Sequence, residues 1–122
     1  MNYHTGADII EIERIDEAVA RWGERFLRRI YTDAELELYR NHLPSLAARF
    51  AGKEAVIKAL NPIDSYVNFR DIEILSESSG KPSVVLHGKA QKLAKSISID
   101  NIDISLSHCR EYAIAFVIAV SG

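Results

Sequence analysis

The sequence predicts an α+β fold, with helices clustered early in the chain and packed on a mainly antiparallel sheet formed late. Residues 12–60 carry apolar side chains at spacings of three and four, which is typical of amphipathic helices. Residues 71–120 instead contain short runs of alternating or continuous apolar side chains, which favour strands. Helices followed by strands, rather than alternating with them, indicate the α+β class.

The first predicted strand and helix lie within residues 3–26. Residues 3–10 are expected to form a strand that places Asp8 on the same face as Gly6. An acid beside two isoleucines, Ile9 and Ile10, is costly there unless a cation pairs with it. An amphipathic helix, with an interruption at Gly23, is then predicted through Ile12, Ile15, Val19, Trp22 and Phe26.

Two further helices are predicted before Pro62. Thr32-Asp33-Ala34-Glu35 is a capping box and should start a helix that runs to about Asn41. Leu43-Pro44-Ser45 is expected to break that helix, and Ser45 can cap the next one, over residues 46–60.

The second half of the chain is predicted to be rich in strands. Gly80-Lys81-Pro82 is interpreted as a turn between two of them. The last strand is apolar on both faces and is therefore expected to be buried. The predicted strands are residues 71–75, 83–86, 102–107 and 112–120, with a short helix at 89–96 and a tight connection at 108–111.

Length and composition exclude several classes of protein. The 122 residues fit one domain, residues 1–122, and a hydrophobic content of 48% supports a sizeable core. The formal net charge of −2 argues against nucleic acid as the main partner. No signal peptide is visible, and the longest apolar run, nine residues, is too short to span a bilayer. With Cys109 as its only cysteine, the chain is expected to be cytoplasmic, without a membrane partner.

Asp8 and Glu54 are the candidate metal ligands. They lie on different predicted elements and can share a cation if the third helix packs on the first strand. Mg²⁺ prefers one or two protein carboxylates, several waters and a substrate phosphate. In the alternative interpretation, Asp8 caps a local turn and Glu54 is an exposed partner of Lys58, because such i,i+4 pairs are common and weak.

The third helix also carries two lysines. Lys58 lies one turn after Glu54 and should lean outward, where it can hold a phosphate, while Glu54 lies at the edge of the apolar stripe. A metal carboxylate beside such a lysine suits phosphoryl transfer, whose transition state is stabilised by cations around spreading negative charge. Lys53 lies nearer the apolar arc and is expected either to snorkel or to be held there for a ligand.

A second polar group is predicted at the end of a late strand. Ser105 and Ser107 share one face of that strand, and His108 lies at its end, followed by Arg110. Such a set can bind phosphate; the alternative is a turn-capping histidine with surface serines. Cys109 is not predicted to be a nucleophile, because no orienting third group is evident.

A stripe of arginines is predicted on the first helix. On a continuous helix its four members lie within about 60° of one another, which suggests an acidic partner. Glu17 and Glu24 flank the stripe, so a solvated face is the alternative, and a break at Gly23 would scatter it. The four residues are Arg14, Arg21, Arg25 and Arg28.

These motifs together resemble the holo-[acyl-carrier-protein] synthase family of 4′-phosphopantetheinyl transferases, over nearly the whole chain. Each motif alone is modest, but the four in this order, in a chain of this length, are highly specific. They are the opening Gly6-Ala7-Asp8-Ile9-Ile10-Glu11-Ile12-Glu13-Arg14-Ile15, the central segment from Arg49 to Ala59, the turn Gly80-Lys81-Pro82, and Ser105 to His108 before the final apolar strand.

The resemblance implies the 4′-phosphopantetheinyl transferase fold and its reaction. The family transfers phosphopantetheine from coenzyme A to a serine of an apo acyl carrier protein and releases adenosine 3′,5′-bisphosphate. It uses Mg²⁺, and the sequence leaves Mn²⁺ open. The family is usually a homotrimer with active sites between neighbouring subunits, and the carrier proteins that it modifies are acidic.

The resemblance also implies roles for individual residues. Asp8 and Glu54 match the metal carboxylates, and Glu54, Lys58 and Asp8 are the implied catalytic residues. The implied donor-binding residues are Arg49, Lys58, Pro82, Ser107 and His108, with Pro82 near the adenine. The implied carrier-docking residues are Arg14, Arg21 and Arg25.

The chain departs from the family pattern after the third helix. Where the family usually has a Gly-rich loop, this chain has Asn61-Pro62-Ile63, and proline lacks an amide donor and fixes φ. Gly52 replaces the usual alanine at a cost of ~1 kcal/mol in helix propensity. Two other functions therefore stay open: a non-catalytic carrier-binding module, and a different metal-dependent phosphotransferase or nucleotide hydrolase.

Overall fold

The computed structural model of the chain describes residues 1–63 and 66–122 and confirms the predicted α+β class. The helices and strands follow one another as β1 (Asn2–Glu11), α1 (Ile12–Trp22), α2 (Glu24–Ile30), α3 (Asp33–Tyr39), α4 (Leu43–Leu60), a 3₁₀ turn (Phe69–Asp71), β2 (Ile72–Ser76), β3 (Pro82–Leu86), α5 (Gly88–Ser96), β4 (Ile99–His108) and β5 (Tyr112–Ser121).

The strands form two antiparallel sheets. One sheet has the order β1-β5-β4, so the first strand of the chain pairs with the last, and Asp8 lies opposite Ala115. The other is the two-stranded pair β2-β3, in which Ser76 lies opposite Pro82. Helix α4 packs against β1 and β5 on one side and contacts β2 on another, so it forms the centre of the molecule.

Two glycines allow α4 to approach the strands closely. A Cβ atom at Gly6 would lie 1.9 Å from the carbonyl oxygen of Ala55, so β1 can lie against α4 only with glycine there. A Cβ atom at Gly52 would lie 2.7 Å from the Cδ1 of Ile74. The propensity cost of Gly52 is therefore accompanied by tight packing of α4 against β2.

The helix boundaries follow the predicted signals, with one correction. Thr32 and Glu35 form the capping box at the start of α3. The helical segment after β1 is interrupted at Gly23, where φ is 56°. The predicted start of α4 at residue 46 was wrong. Pro44 lies in its first turn, where no amide donor is needed, and the side chain of His42 accepts the Ser45 amide at 3.2 Å.

The prediction that the last strand is buried on both faces was wrong for this chain. Along β5, buried residues alternate with exposed ones, and Ile114 and Phe116 are 46% and 49% exposed. Neighbouring positions of β1 extend the same surface. The outer sheet face is defined here by its exposed apolar side chains, Tyr3, Ile9, Tyr112, Ile114 and Phe116.

Within residues 1–63 and 66–122, the structure contains no helix of the length and apolar character that crossing a membrane requires.

Candidate active site

Asp8 and Glu54 line one cavity of about 590 Å³ between β1, α1 and α4. The inward face of β1, which Gly6 holds against α4, also carries Asp8 and turns it toward the helix. Arg14 of α1 lines the same cavity. We call it the acidic cavity; its other lining residues are Ile9, Ile10, Glu11, Ile15, Ala18, Phe26, Phe50 and Tyr112.

Lys58 pairs with Asp8 rather than with Glu54 among the residues that the structure describes. Its Nζ donates to Asp8 Oδ1 at 3.0 Å and to the carbonyl oxygen of Ala7 at 2.9 Å. The lysine side chain is 56% exposed, whereas that of Asp8 is 15% exposed. The alternative interpretation was therefore wrong on both points, because Asp8 lies in the middle of β1 and Lys58 reaches across to it.

Glu54 is half-buried at the edge of the core, as predicted. Burial raises the pKa of its carboxyl, and the neighbouring Asp8 raises it further. The positive charges of Lys58 and Arg14 lower this pKa and only partly offset those effects. Two carboxyl groups brought this close favour a cation between them.

The carboxylates of the acidic cavity fit a divalent metal of the Mg²⁺ type. Over residues 1–63 and 66–122, no group of three or more His, Cys, Asp or Glu residues is arranged to hold a metal. A closed, all-protein site is therefore excluded within that part of the chain, whereas Mg²⁺ needs only one or two carboxylates when waters and phosphate oxygens complete its shell. The ammonium group on Asp8 shows that this position already attracts a cation.

A second pocket contains the other predicted binding residues. Arg49, Pro82, Ser107 and His108 together line a depression of about 270 Å³ between α4, the β2-β3 pair and the end of β4. Lys58 is not among them, because it lies at the acidic cavity. We call this second site the basic pocket; it is also lined by Tyr39, Ser45, Ala48, Ser76, Gly80 and Leu106.

Arg49 is almost fully buried within the basic pocket. Its Nε donates to the carbonyl oxygen of Ile74 at 3.0 Å, and its Nη2 donates to Ser76 Oγ at 3.2 Å. The guanidinium group lies over the ring of Tyr39, 3.6 Å from its centre. Burial lowers the pKa of Arg49, while Tyr39 and Glu35 raise it. The remaining N–H groups of this arginine can donate to an anion.

The two sites are separate on one chain. The residues that line the acidic cavity and those that line the basic pocket do not overlap. Glu54 follows Arg49 by five positions on α4, which places the two side chains about 140° apart around the helix axis and about 7.5 Å apart along it. A single chain therefore carries an acidic and a basic half on different sides of one helix.

Both expectations for Lys53 were wrong. Its side chain is fully buried, and its Nζ donates to Glu35 Oε1 at 2.7 Å. Sequence reasoning assigned Glu35 only a capping role. The two residues are eighteen positions apart, so no helical spacing relates them; the available signal was a lysine near an apolar arc, which needs an acid.

The helix breaks at Gly23, as predicted, so the four arginines do not form the stripe that a continuous helix would give. Arg14 and Arg21 belong to α1, whereas Arg25 and Arg28 belong to α2. All four are exposed, and Arg28 pairs with Glu24 at 3.2 Å. A surface depression at the junction of the two helices is lined by Trp22, Arg25, Phe26 and Arg29.

Comparison with known proteins agrees with this fold and identifies the family. Residues 4–117 match the family model of the 4′-phosphopantetheinyl transferase superfamily. A holo-[acyl-carrier-protein] synthase of Dehalococcoides mccartyi is 58% identical over 116 residues, which is 95% of this chain and 97% of that protein.

Solved structures give the same result. The Helicobacter pylori holo-[acyl-carrier-protein] synthase in complex with coenzyme A aligns with a TM-score of 0.85 and 32% identity, covering 95% of this chain and 99% of that one. The Bacillus anthracis holo-(acyl-carrier-protein) synthase in complex with coenzyme A (3′,5′-ADP) aligns with a TM-score of 0.78 and 30% identity, covering 98% and 96%. The chain therefore belongs to the 4′-phosphopantetheinyl transferase superfamily.

Proposed function

We propose that residues 1–122 form a single domain that transfers 4′-phosphopantetheine from coenzyme A to a serine of an apo acyl carrier protein. The observation that carries this proposal is the acidic cavity, where two carboxylates from distant parts of a superfamily chain face one another. In the reaction, the serine oxygen attacks the phosphorus that bears the pantetheine arm. The pyrophosphate P–O bond breaks, and adenosine 3′,5′-bisphosphate leaves.

Asp8 and Glu54 would hold the divalent metal, Mg²⁺ or Mn²⁺. When bound, such a metal polarises phosphoryl oxygens and neutralises charge that develops in the transition state. Glu54, directly or through a water, takes the proton from the carrier serine. Its raised pKa brings this carboxylate closer to the working range of a general base. Lys58 is exposed enough to leave Asp8 and donate to a phosphate oxygen.

The basic pocket would hold the nucleotide end of the donor. Arg49 is oriented by Ile74 and Ser76 and keeps N–H groups free for a phosphate. His108 and Ser107 lie at the exposed end of β4 and can donate to the same group. Pro82 presents an apolar surface on which an adenine can lie.

We extend the proposal to a homotrimer formed through the outer sheet face. The acidic cavity and the basic pocket are separate on one chain, so a donor that contacts both needs the pocket of a neighbouring copy. The outer sheet face has exposed apolar side chains on adjacent strands, and Pro82 and Phe116 both line the groove at its edge. Light scattering should give three times the chain mass, and Phe116→Asp should yield an inactive monomer.

Carrier docking is proposed at the exposed arginines of α1 and α2. Arg14 lines the acidic cavity, so a docked acidic carrier would lie beside the reacting groups. Arg21 and Arg25 extend this positive surface along both helices. Arg21→Glu should raise the KM for the carrier without changing the KM for coenzyme A, and the effect should weaken at high salt.

The function is tested by incubating the protein with coenzyme A, Mg²⁺ and an apo carrier protein. Mass spectrometry should show the carrier gaining a phosphopantetheine arm, and chromatography should show an equal amount of adenosine 3′,5′-bisphosphate. Chelation by EDTA should stop both. Binding to the carrier with no change in its mass would point to a non-catalytic module, and a different nucleotide product would point to another phosphotransferase.

A further inference from the structure

The polar network behind the basic pocket is centred on Lys53 and Glu35, whose side chains are both 0% exposed. The ammonium group of Lys53 donates to Glu35 Oε1, to the carbonyl oxygen of Phe69 at 3.1 Å and to that of Ile72. All three of its protons are therefore used. No free donor remains for a ligand, so Lys53 cannot act on substrate itself.

The carboxylate of Glu35 is equally committed. Oε1 accepts the amide of Thr32 at 2.8 Å in the capping box, and Oε2 accepts the amide of Ile74 at 2.8 Å. Because Lys53 bonds to Oε1 as well, the carboxylate has three donors from three elements. Within residues 1–63 and 66–122, no buried side-chain nitrogen or oxygen lacks a partner.

These charged side chains take the place of a missing strand beside β2. Among the strands that the structure describes, β2 pairs only with β3, so one of its edges has no neighbouring strand there. On that edge the Ile72 carbonyl bonds to Lys53, the Ile74 amide to Glu35 and the Ile74 carbonyl to Arg49. Ile74 therefore links the two side chains: its amide donates to Glu35, and its carbonyl oxygen accepts from Arg49.

Stability alone does not explain such a pair. A buried ion pair gives little net stability compared with apolar residues of the same volume, since desolvation offsets the attraction. The pair instead fixes the position of the β2 backbone, because both charged side chains bond to backbone groups. The residue placed by this arrangement is Arg49, whose Nε depends on the position of the Ile74 carbonyl.

We infer that Lys53 and Glu35 are positioning residues for the donor: they fix the free edge of β2 so that Arg49 presents its remaining N–H groups to a phosphate of coenzyme A. This inference rests on the proposed function of the basic pocket. Neither residue contacts substrate. Binding of the nucleotide end depends on this buried pair only through the position of Arg49.

The test is the double variant Glu35→Gln/Lys53→Met, which removes both buried charges and leaves one oxygen for the Ile74 amide. The KM for coenzyme A should rise about tenfold or more, with kcat changed less than about threefold, because the loss falls on ground-state binding by Arg49. The affinity for 3′,5′-ADP, measured by calorimetry, should fall by the same factor. Mn²⁺ affinity, measured by electron paramagnetic resonance, should stay within about twofold, since Asp8 is untouched.

Two controls separate positioning from stability. Val117→Ala removes buried volume from β5, which contributes no hydrogen bond to this network. It should lower the melting temperature and leave the KM for coenzyme A unchanged. In an Arg49→Lys background, the double variant should change that KM by less than about twofold, because its effect acts through Arg49. Additive effects of the two changes would overturn the inference.

The remaining outcomes also decide. A folded double variant with the wild-type KM overturns the inference while leaving the proposed function intact, whereas wild-type protein without transfer activity overturns the proposed function itself. If the double variant is unfolded, Glu35→Gln alone is measured in the same way. A folded single variant must then raise the KM for coenzyme A, and failure of both variants to fold would make the pair a folding requirement and overturn the inference.

Discussion

Two lysines five residues apart on helix α4 each pair with a carboxylate from another element, and the two pairs differ in burial and in their other partners. Lys53 and Glu35 are fully buried, and every proton and acceptor of the pair has a fixed partner. Lys58 pairs with Asp8, which lines the acidic cavity, and the Lys58 side chain is mostly exposed. The same two residue types therefore serve different purposes within one and a half turns of the same helix.

The difference lies in what each pair can exchange. A buried ammonium group cannot leave its carboxylate without stranding a charge in the core. An exposed ammonium group can leave at little cost, because water solvates it and the pair is weak. Burial therefore makes the Lys53 pair a fixed support, whereas exposure makes the Lys58 pair open to replacement by a metal or a phosphate.

The largest expected effect comes from the acids of the acidic cavity. Asp8→Asn and Glu54→Gln should each lower transfer about a thousandfold or more, since each removes a metal ligand or the base while the protein stays folded. The measurement is the mass increase of the carrier protein. Glu37→Gln, at an exposed site on α3, is the matched control and should keep full activity. Near-normal activity in both cavity variants would rule out this mechanism.

The buried pair should contribute more to the free energy of unfolding than the exposed pair does. Lys53→Met strands the Glu35 carboxylate in the core and should lower the free energy of unfolding by about 3–5 kcal/mol. Lys58→Met should change it by less than about 1 kcal/mol, because its pair is exposed. Denaturant unfolding of both variants makes the comparison, and equal losses would show that burial is not what separates the two pairs.

The exposed pair can be tested directly as a competitor of the metal. Removing the ammonium group in Lys58→Met frees Asp8, so Mn²⁺ should bind up to about fivefold more tightly even though transfer becomes slower. Electron paramagnetic resonance of the protein with Mn²⁺ alone measures the affinity. Weaker binding in this variant would mean that Lys58 orients Asp8 for the metal instead of competing with it.

The smallest effect concerns Glu54 and pH. Burial and Asp8 raise the pKa of Glu54 above its ordinary 4.5, so the unfolded chain ionises this group more easily than the folded one does. Its charge therefore costs stability at pH values above the folded pKa, and the cost disappears as the pH falls below 4.5. Glu54→Gln should raise the melting temperature slightly at neutral pH and not at pH values below 4.5, as followed by calorimetry.

The sequence was informative wherever the physics is local. The spacing of Thr32 and Glu35 predicted a capping box because the two groups that it joins are three residues apart. Gly23 predicted the helix break for the same reason. The position of Glu54 at the core boundary followed from helical periodicity alone.

The failures share one cause. Lys53 was expected to reach solvent or a ligand. Its actual partner, Glu35, could not be found from helical spacing because it lies eighteen residues earlier, on another helix. The arginine stripe required a helix that continues past Gly23, and the chain forms two shorter helices there instead. The last strand was expected to be buried on both faces because both are apolar. An apolar sequence does not reveal whether the chain itself covers each face, and here one face is exposed.

By itself, the sequence determined most of the helices and strands, the four motifs and the chemical types of the site residues, since these depend on side chains close together in the chain. Only the tertiary structure decided that Asp8 meets Glu54 and Lys58, that Arg49 faces a different pocket, and that Glu35 neutralises Lys53. Periodicity fixes the side of an element on which a residue lies. Packing of distant elements decides what lies opposite, and a buried charge is stable only with the partner that this packing supplies.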